Sequence, residues 1–75
     1  MDERMEYIVQ VWPDPEDGGF VAEAPELPGC VSQGDTWEEV LANMADALEC
    51  CIEARRELGL PLRVEVRETR IAVPA

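Results

Sequence analysis

Most side chains in this sequence that could do chemistry are carboxylates. Asp14, Glu16 and Asp17 crowd a turn-rich run, Glu6 and Glu23 sit in stretches that read as pairing strands, and Asp46 and Glu49 occupy polar positions of a helical stretch. Carboxylates that converge on one point are what two-metal hydrolysis requires. General acid–base work at neutral pH draws mainly on histidine, and this chain has neither histidine nor lysine. Solvated surface explains each of these carboxylates, so no catalytic, metal-binding or cofactor-binding residue is assigned. Gly18-Gly19 leads into a strand-like stretch, whereas phosphate cradles lead into a helix N-terminus, so it reads as a turn. Cys30, Cys50 and Cys51 are odd in number, show no C-x-x-C spacing and lack a histidine to complete a zinc site. Adjacent cysteines bridge each other only with strain. They are expected to be small buried or half-buried thiols of a reducing compartment.

Charge says more than chemistry. Seventeen acidic residues face six arginines in 75 residues. From Met5 to Ala54 there are twelve acidic side chains and no basic one; from Arg55 onward five arginines outnumber three glutamates. Such a chain repels phosphate backbones and attracts basic surfaces. Direct nucleic-acid binding is therefore not expected, and a basic protein is the better partner. The charged start is no signal peptide, and no apolar run approaches the roughly 20 residues that a membrane helix needs. A cytoplasmic protein without membrane contact is expected.

The elements that must position these residues follow from local pattern. Met5 to Trp12 is rich in β-branched and aromatic residues and partly alternates, with Tyr7, Val9 and Val11 on one face and Ile8 and Trp12 on the other. Pro13 to Gly19 reads as a hairpin loop, since two prolines fix φ and the Asp-Gly-Gly end permits positive φ. Phe20 to Ala24 returns as a strand, Pro25 to Gly29 breaks it, and Cys30 to Gly34 is a third strand. Thr36 followed by Glu39 has the form of a capping box. Trp37, Leu41, Met44, Leu48, Cys51, Ile52 and Leu58 then recur near a helical period, and Gly59 and Pro61 forbid continuation. The spacing predicts a helix over 37–58 and a last strand over 69–73. The fold class is α+β in the order β-β-β-α-β. It comprises a three-stranded antiparallel meander, a fourth strand parallel to a sheet strand, and one helix on one sheet face. One helix covers one face only, so the other is left open unless a partner or a second copy covers it. Residues 1–75 are read as a single domain. A core this small gains from self-association, so a homo-oligomer is expected, dimer or tetramer.

The ordered series Pro13-Asp14-Pro15-Glu16-Asp17-Gly18-Gly19-Phe20, Ala24-Pro25-Glu26-Leu27-Pro28-Gly29-Cys30 and Gly34-Asp35-Thr36 resembles the N-terminal domain of HicB antitoxins. Glu38-Glu39, Asn43, Ala47-Leu48 and Gly59-Leu60-Pro61 extend the resemblance over nearly the whole chain. It implies a partial ribonuclease-H-like fold with strands in the order third, second, first, fourth, the fourth parallel to the first. It also implies a role: HicB proteins bind HicA toxins, small basic RNA-cleaving proteins, and hide their RNA-facing surface. Full-length HicB proteins often add a C-terminal DNA-binding segment; no such domain is expected here, and operator binding is not carried over.

The candidate protein-binding residues are Trp12, Asp14, Glu16, Asp17, Glu23, Glu26 and Leu27. Trp12 lies on the mixed strand face, where an aromatic anchor would serve a partner. Leu27, set between prolines, is either a tethering core contact or an exposed contact residue. The expected function is a non-enzymatic antitoxin-type protein that neutralises a HicA-like toxin. Its rivals are a stand-alone oligomerising module without a toxin and a metal-dependent ribonuclease-H-like nuclease. A small-ligand module is more distant, because so short a chain lacks room for a deep pocket beside its core.

Overall fold

The hairpin, the broken return and the capped helix of the sequence all form. The computed structural model describes residues 5–74. Its elements are β1 (Gln10–Pro13), β2 (Phe20–Glu23), β3 (Val31–Gly34) and α1 (Trp37–Leu58). The strands form one antiparallel sheet in the order β1-β2-β3. Its register sets Trp12 opposite Val21 and Val21 opposite Gln33, with Gln10, Glu23 and Val31 in the neighbouring row.

Helix α1 begins and ends where local chemistry dictates. The Thr36 hydroxyl accepts the Glu39 amide at 3.1 Å. Among the described residues the Glu39 carboxylate does not make the reciprocal capping bond. Gly59 stops the helix in the left-handed region at φ 68°. Its amide donates to Arg56 O (3.2 Å) and the Leu60 amide to Arg55 O (2.8 Å), which closes the last turn as a Schellman motif. The Arg55 guanidinium then donates to Pro61 O (3.0 Å) and Pro28 O (3.3 Å). It ties the helix end to the Pro25–Gly29 loop and to the departing chain.

The core lies between the helix and one sheet face. Ala22, Ala24, Leu27, Cys30, Val40 and Met44 are buried, with Tyr7, Val9, Val11, Phe20, Leu48, Cys51 and Ile52 packed around them. Full burial contributes about 1.5–3 kcal/mol for a Val, Leu or Met side chain, and among the described residues only Leu27, Met44 and Val40 are fully buried at that size. This core is thin, as the chain length predicts. Two glycines let its layers close. A Cβ on Gly34 would meet Val40 N at 2.5 Å, and one on Gly19 would meet Gly34 O at 2.5 Å. Hairpin loop, third strand and helix entry are therefore stacked backbone on backbone.

The ladder is shorter than the pattern predicts, and a fourth strand does not form among the described residues. Residues 5–9 lie outside β1, and residues 60–74 belong to no ladder. Glu26 supplies the physical reason. Its carboxylate accepts the Ile8 amide at 2.8 Å and its carbonyl accepts the Val64 amide at 2.9 Å. Two donors that could join the N-terminal and C-terminal segments directly are thus spent on the loop between them. Side-chain bonds still tie the two segments together. Tyr7 Oη donates to Leu62 O at 2.6 Å, Arg63 donates to Glu6 O, and Gln10 Nε2 lies 3.4 Å from Glu68 Oε1. Among the described residues no helix is long and apolar enough to cross a membrane.

Candidate protein-binding surfaces

Two surfaces are available to a partner, and the sheet connectivity builds both. The first is an acidic cleft where the β1–β2 loop meets the start of α1. Asp14 shapes the loop: its Oδ1 accepts the amides of Glu16 (2.9 Å) and Asp17 (3.3 Å), and its own amide donates to Gly19 O (3.0 Å). The close stacking at Gly19 and Gly34 then sets this loop beside the helix entry. The result is a cleft of about 330 Å³ whose ionisable lining is Asp14, Asp17, Asp35 and Glu39, with no basic side chain among the lining residues. Asn43 closes one wall, donating to Gln33 O at 2.8 Å. Four like charges around one opening create a negative potential that a cationic side chain relieves. Among the described residues, no group of three or more His, Cys, Asp or Glu side chains could hold a metal ion. Guanidinium and ammonium groups are the side-chain cations that carboxylates of this kind pair with.

The second surface is the sheet face turned away from the helix. Trp12 and Val31 are 40% and 50% exposed there, and Ile8, just before β1, is 59% exposed. Val21 and Glu23 are half-buried in the same rows, and Gln10 and Gln33 complete them. This is a mixed apolar and polar face of the kind that protein interfaces use. Trp37, by contrast, packs at the core rim, edge-on to Phe20 with ring centroids 6.1 Å apart.

The structure distributes the seven sequence candidates unevenly. Asp14 and Asp17 meet in the cleft, Glu16 is exposed on the adjoining loop, and Trp12 and Glu23 lie on the open sheet face. Glu26 and Leu27 are engaged inside the chain. The Glu26 carboxylate pairs with Arg63 at 3.3 Å besides holding Ile8. Leu27 is 0% exposed and anchors its loop in the core, the first of the two roles its position allowed. Sequence reasoning passed over Asp35, Glu39 and Asn43 as site residues. Asp35 and Glu39 read as charges favouring the helix N-terminus, and only the return of β2 and β3 brings them to Asp14 and Asp17.

The three cysteines differ in exposure. Cys30 is buried, Cys51 half-buried and Cys50 exposed, so Cys50 departs from the expected burial. Burial first, and then a hydrogen bond with Cys51, pushes the Cys30 thiol up to about 12 from 9.0. It stays protonated and acts as a small apolar core residue.

A three-stranded antiparallel sheet carrying one helix, in the order β-β-β-α, defines a small α+β domain. Comparison with protein families then gives the relationship. Residues 7–71 match the family of HicB-like antitoxins of bacterial toxin–antitoxin systems, and the chain belongs to that family. It is 42% identical over 65 residues to a UPF0150 protein of Thermotoga maritima, covering 87% of this chain and 86% of that one. A UPF0150 protein of Thermoplasma acidophilum is 42% identical over 53 residues, 71% of this chain and 75% of its own. A UPF0150 protein of Synechocystis is 53% identical over 38 residues, where the match spans 51% of this chain and 48% of that protein. No solved structure matches.

Proposed function

We propose that this protein is an antitoxin that binds and neutralises a small basic, RNA-cleaving toxin of the HicA type, and that it does so without catalysis. The observation that carries this reading is the acidic cleft of Asp14, Asp17, Asp35 and Glu39, which lacks a basic lining residue. Family membership supports an antitoxin role, and the cleft supplies the chemistry. A surface built to hold RNA phosphates presents arginine and lysine, and a carboxylate cleft competes for those same side chains. Seated there, the antitoxin excludes RNA by occupying its contacts. Glu16 flanks the cleft, and Trp12 and Glu23 on the open face extend the contact. Long-range attraction between a chain of net charge −11 and a basic toxin speeds the encounter and makes it sensitive to salt. A toxin that cleaves cellular RNA places this encounter in the cytoplasm.

The test is co-expression and co-purification with a small basic protein encoded beside this gene, followed by titration at two salt concentrations. The expected result is a stable complex that protects RNA, weakened at least tenfold by Asp17→Lys and by raised salt. Failure to bind or silence such a toxin would reject the reading.

One observation favours a second reading, a self-associating module without a toxin. The open face exposes Trp12 and Val31, with Ile8 exposed just before it, and a second copy could cover it. An assembly that buries this face and binds no basic partner would establish that alternative.

A further inference from the structure

Ile8, Pro25, Val64 and Val66 form the apolar floor of an open groove of about 740 Å³ between the Pro25–Gly29 loop and the outgoing C-terminal segment. The groove lies at the β2–β3 end of the sheet, whereas the acidic cleft lies at the β1–β2 end, and the two share no lining residue. Its charges are unequal. Arg63 is the one cation among the lining residues, and it is already committed: it pairs with Glu26, donates to Glu6 O and covers the Tyr7 ring. Glu68 makes no ion pair among the described residues and meets the neutral Gln10 amide, Oε1 to Nε2 at 3.4 Å. Glu65 pairs with Arg67, which stands outside the lining. One wall also offers backbone. Val64 gives its amide to Glu26 O at 2.9 Å, but among the described residues the backbone of 65–74 makes no hydrogen bond to another backbone group.

We propose that this groove takes an extended segment of a different protein, apolar at alternate positions and basic between them, which adds as a strand beside residues 65–68. Strand addition uses this combination: main-chain bonds hold the peptide, and its alternate side chains enter apolar depressions. The valines and Ile8 receive the apolar side chains. Glu65 and Glu68 at the margin attract basic side chains and repel acidic ones. The alternating stretches of this chain itself carry carboxylates, Glu6 in the first and Glu65 and Glu68 in the last, so charge favours a foreign segment over a second copy. The groove does not depend on the antitoxin reading, because none of the cleft carboxylates contributes to it.

The test uses the full chain and a fluorescein-labelled peptide of alternating lysine and valine, read by anisotropy at an ionic strength of about 0.15 M. Saturable binding of one peptide per chain is expected. Replacing the valines by serine, replacing the lysines by glutamate, or methylating alternate peptide amides should each weaken it at least tenfold. Val66→Asp and Glu68→Lys should do the same, with helix content by circular dichroism unchanged because both side chains are exposed. Asp17→Lys, in the acidic cleft, should leave the affinity within about twofold. Absence of saturable binding would overturn the proposal. So would equal binding of the methylated peptide, or an Asp17→Lys loss as large as that of Glu68→Lys, since either reduces the contact to general charge attraction. A dimer that Val66→Asp dissociates and the peptide does not would give the groove to a second copy and overturn it too.

Discussion

Glu26 and Arg63 form an ion pair, Oε2 to Nε at 3.3 Å, across which the two ends of the chain are held. The same carboxylate takes the Ile8 amide, and Arg63 covers the Tyr7 ring at 4.7 Å. Glu26→Ala removes a half-buried charge-assisted hydrogen bond, worth about 1.5–3 kcal/mol for bonds to charged groups. Partial exposure of Arg63 brings the expected loss nearer ~1–2 kcal/mol. Urea unfolding measures it, and faster hydrogen exchange at Ile8 locates it. A variant as stable as wild type, with Ile8 still protected, would contradict this role.

Gly34→Ala tests the stacking of the third strand on the helix entry. The added Cβ meets only backbone, Val40 N at 2.5 Å and Val40 Cα at 2.8 Å, so the helix itself must move. Overpacking of this kind costs roughly 1–3 kcal/mol. Thermal unfolding should show a clear drop in midpoint. Gly18→Ala is the comparison: there the added Cβ meets nothing within 4 Å, and only the strain of a φ of 75° remains.

Stability should decline in alkali through Cys30. Its folded pKa of about 12 lies above the unfolded 9.0. A thiol whose pKa is raised by folding contributes stability that is whole below pH 9 and lost as pH climbs toward 12. Cys30→Ala should flatten this part of the pH–stability profile. A variant with the same alkaline slope as wild type would assign the slope to another group.

Trp12→Ala should leave the helix and sheet intact, since the side chain lies outside the buried core, and should weaken toxin binding or self-association. Sedimentation and titration against the toxin read the two effects separately. Unchanged values in both would remove Trp12 from either surface.

How far the sequence discloses this molecule depends on how local each signal is. The helix was legible to the residue, because Thr36, the apolar period from Trp37 and the Gly59 stop all act within one or two turns. The first strand was legible in place but not in extent: alternation from Met5 reports which side chains are buried, not which amides find a ladder partner. The C-terminal segment reads as a strand for the same reason, while the Glu26 loop that takes the Ile8 and Val64 amides is distant in sequence from both. Leu27 between two prolines looks like loop and is core. The acidic cleft was half legible. Asp14 and Asp17 stand out in a turn, but Asp35 and Glu39 join them only once the second and third strands have folded back.

The Arg55 guanidinium, bound to Pro28 O and Pro61 O at once, has a consequence for the order in which the chain is assembled. Both carbonyls can be gathered only after the final helical turn exists to present the side chain. The corner that joins the helix end, the Leu27 loop and the outgoing segment therefore depends on that turn and cannot close before it. Damage there should release that segment while the hairpin survives.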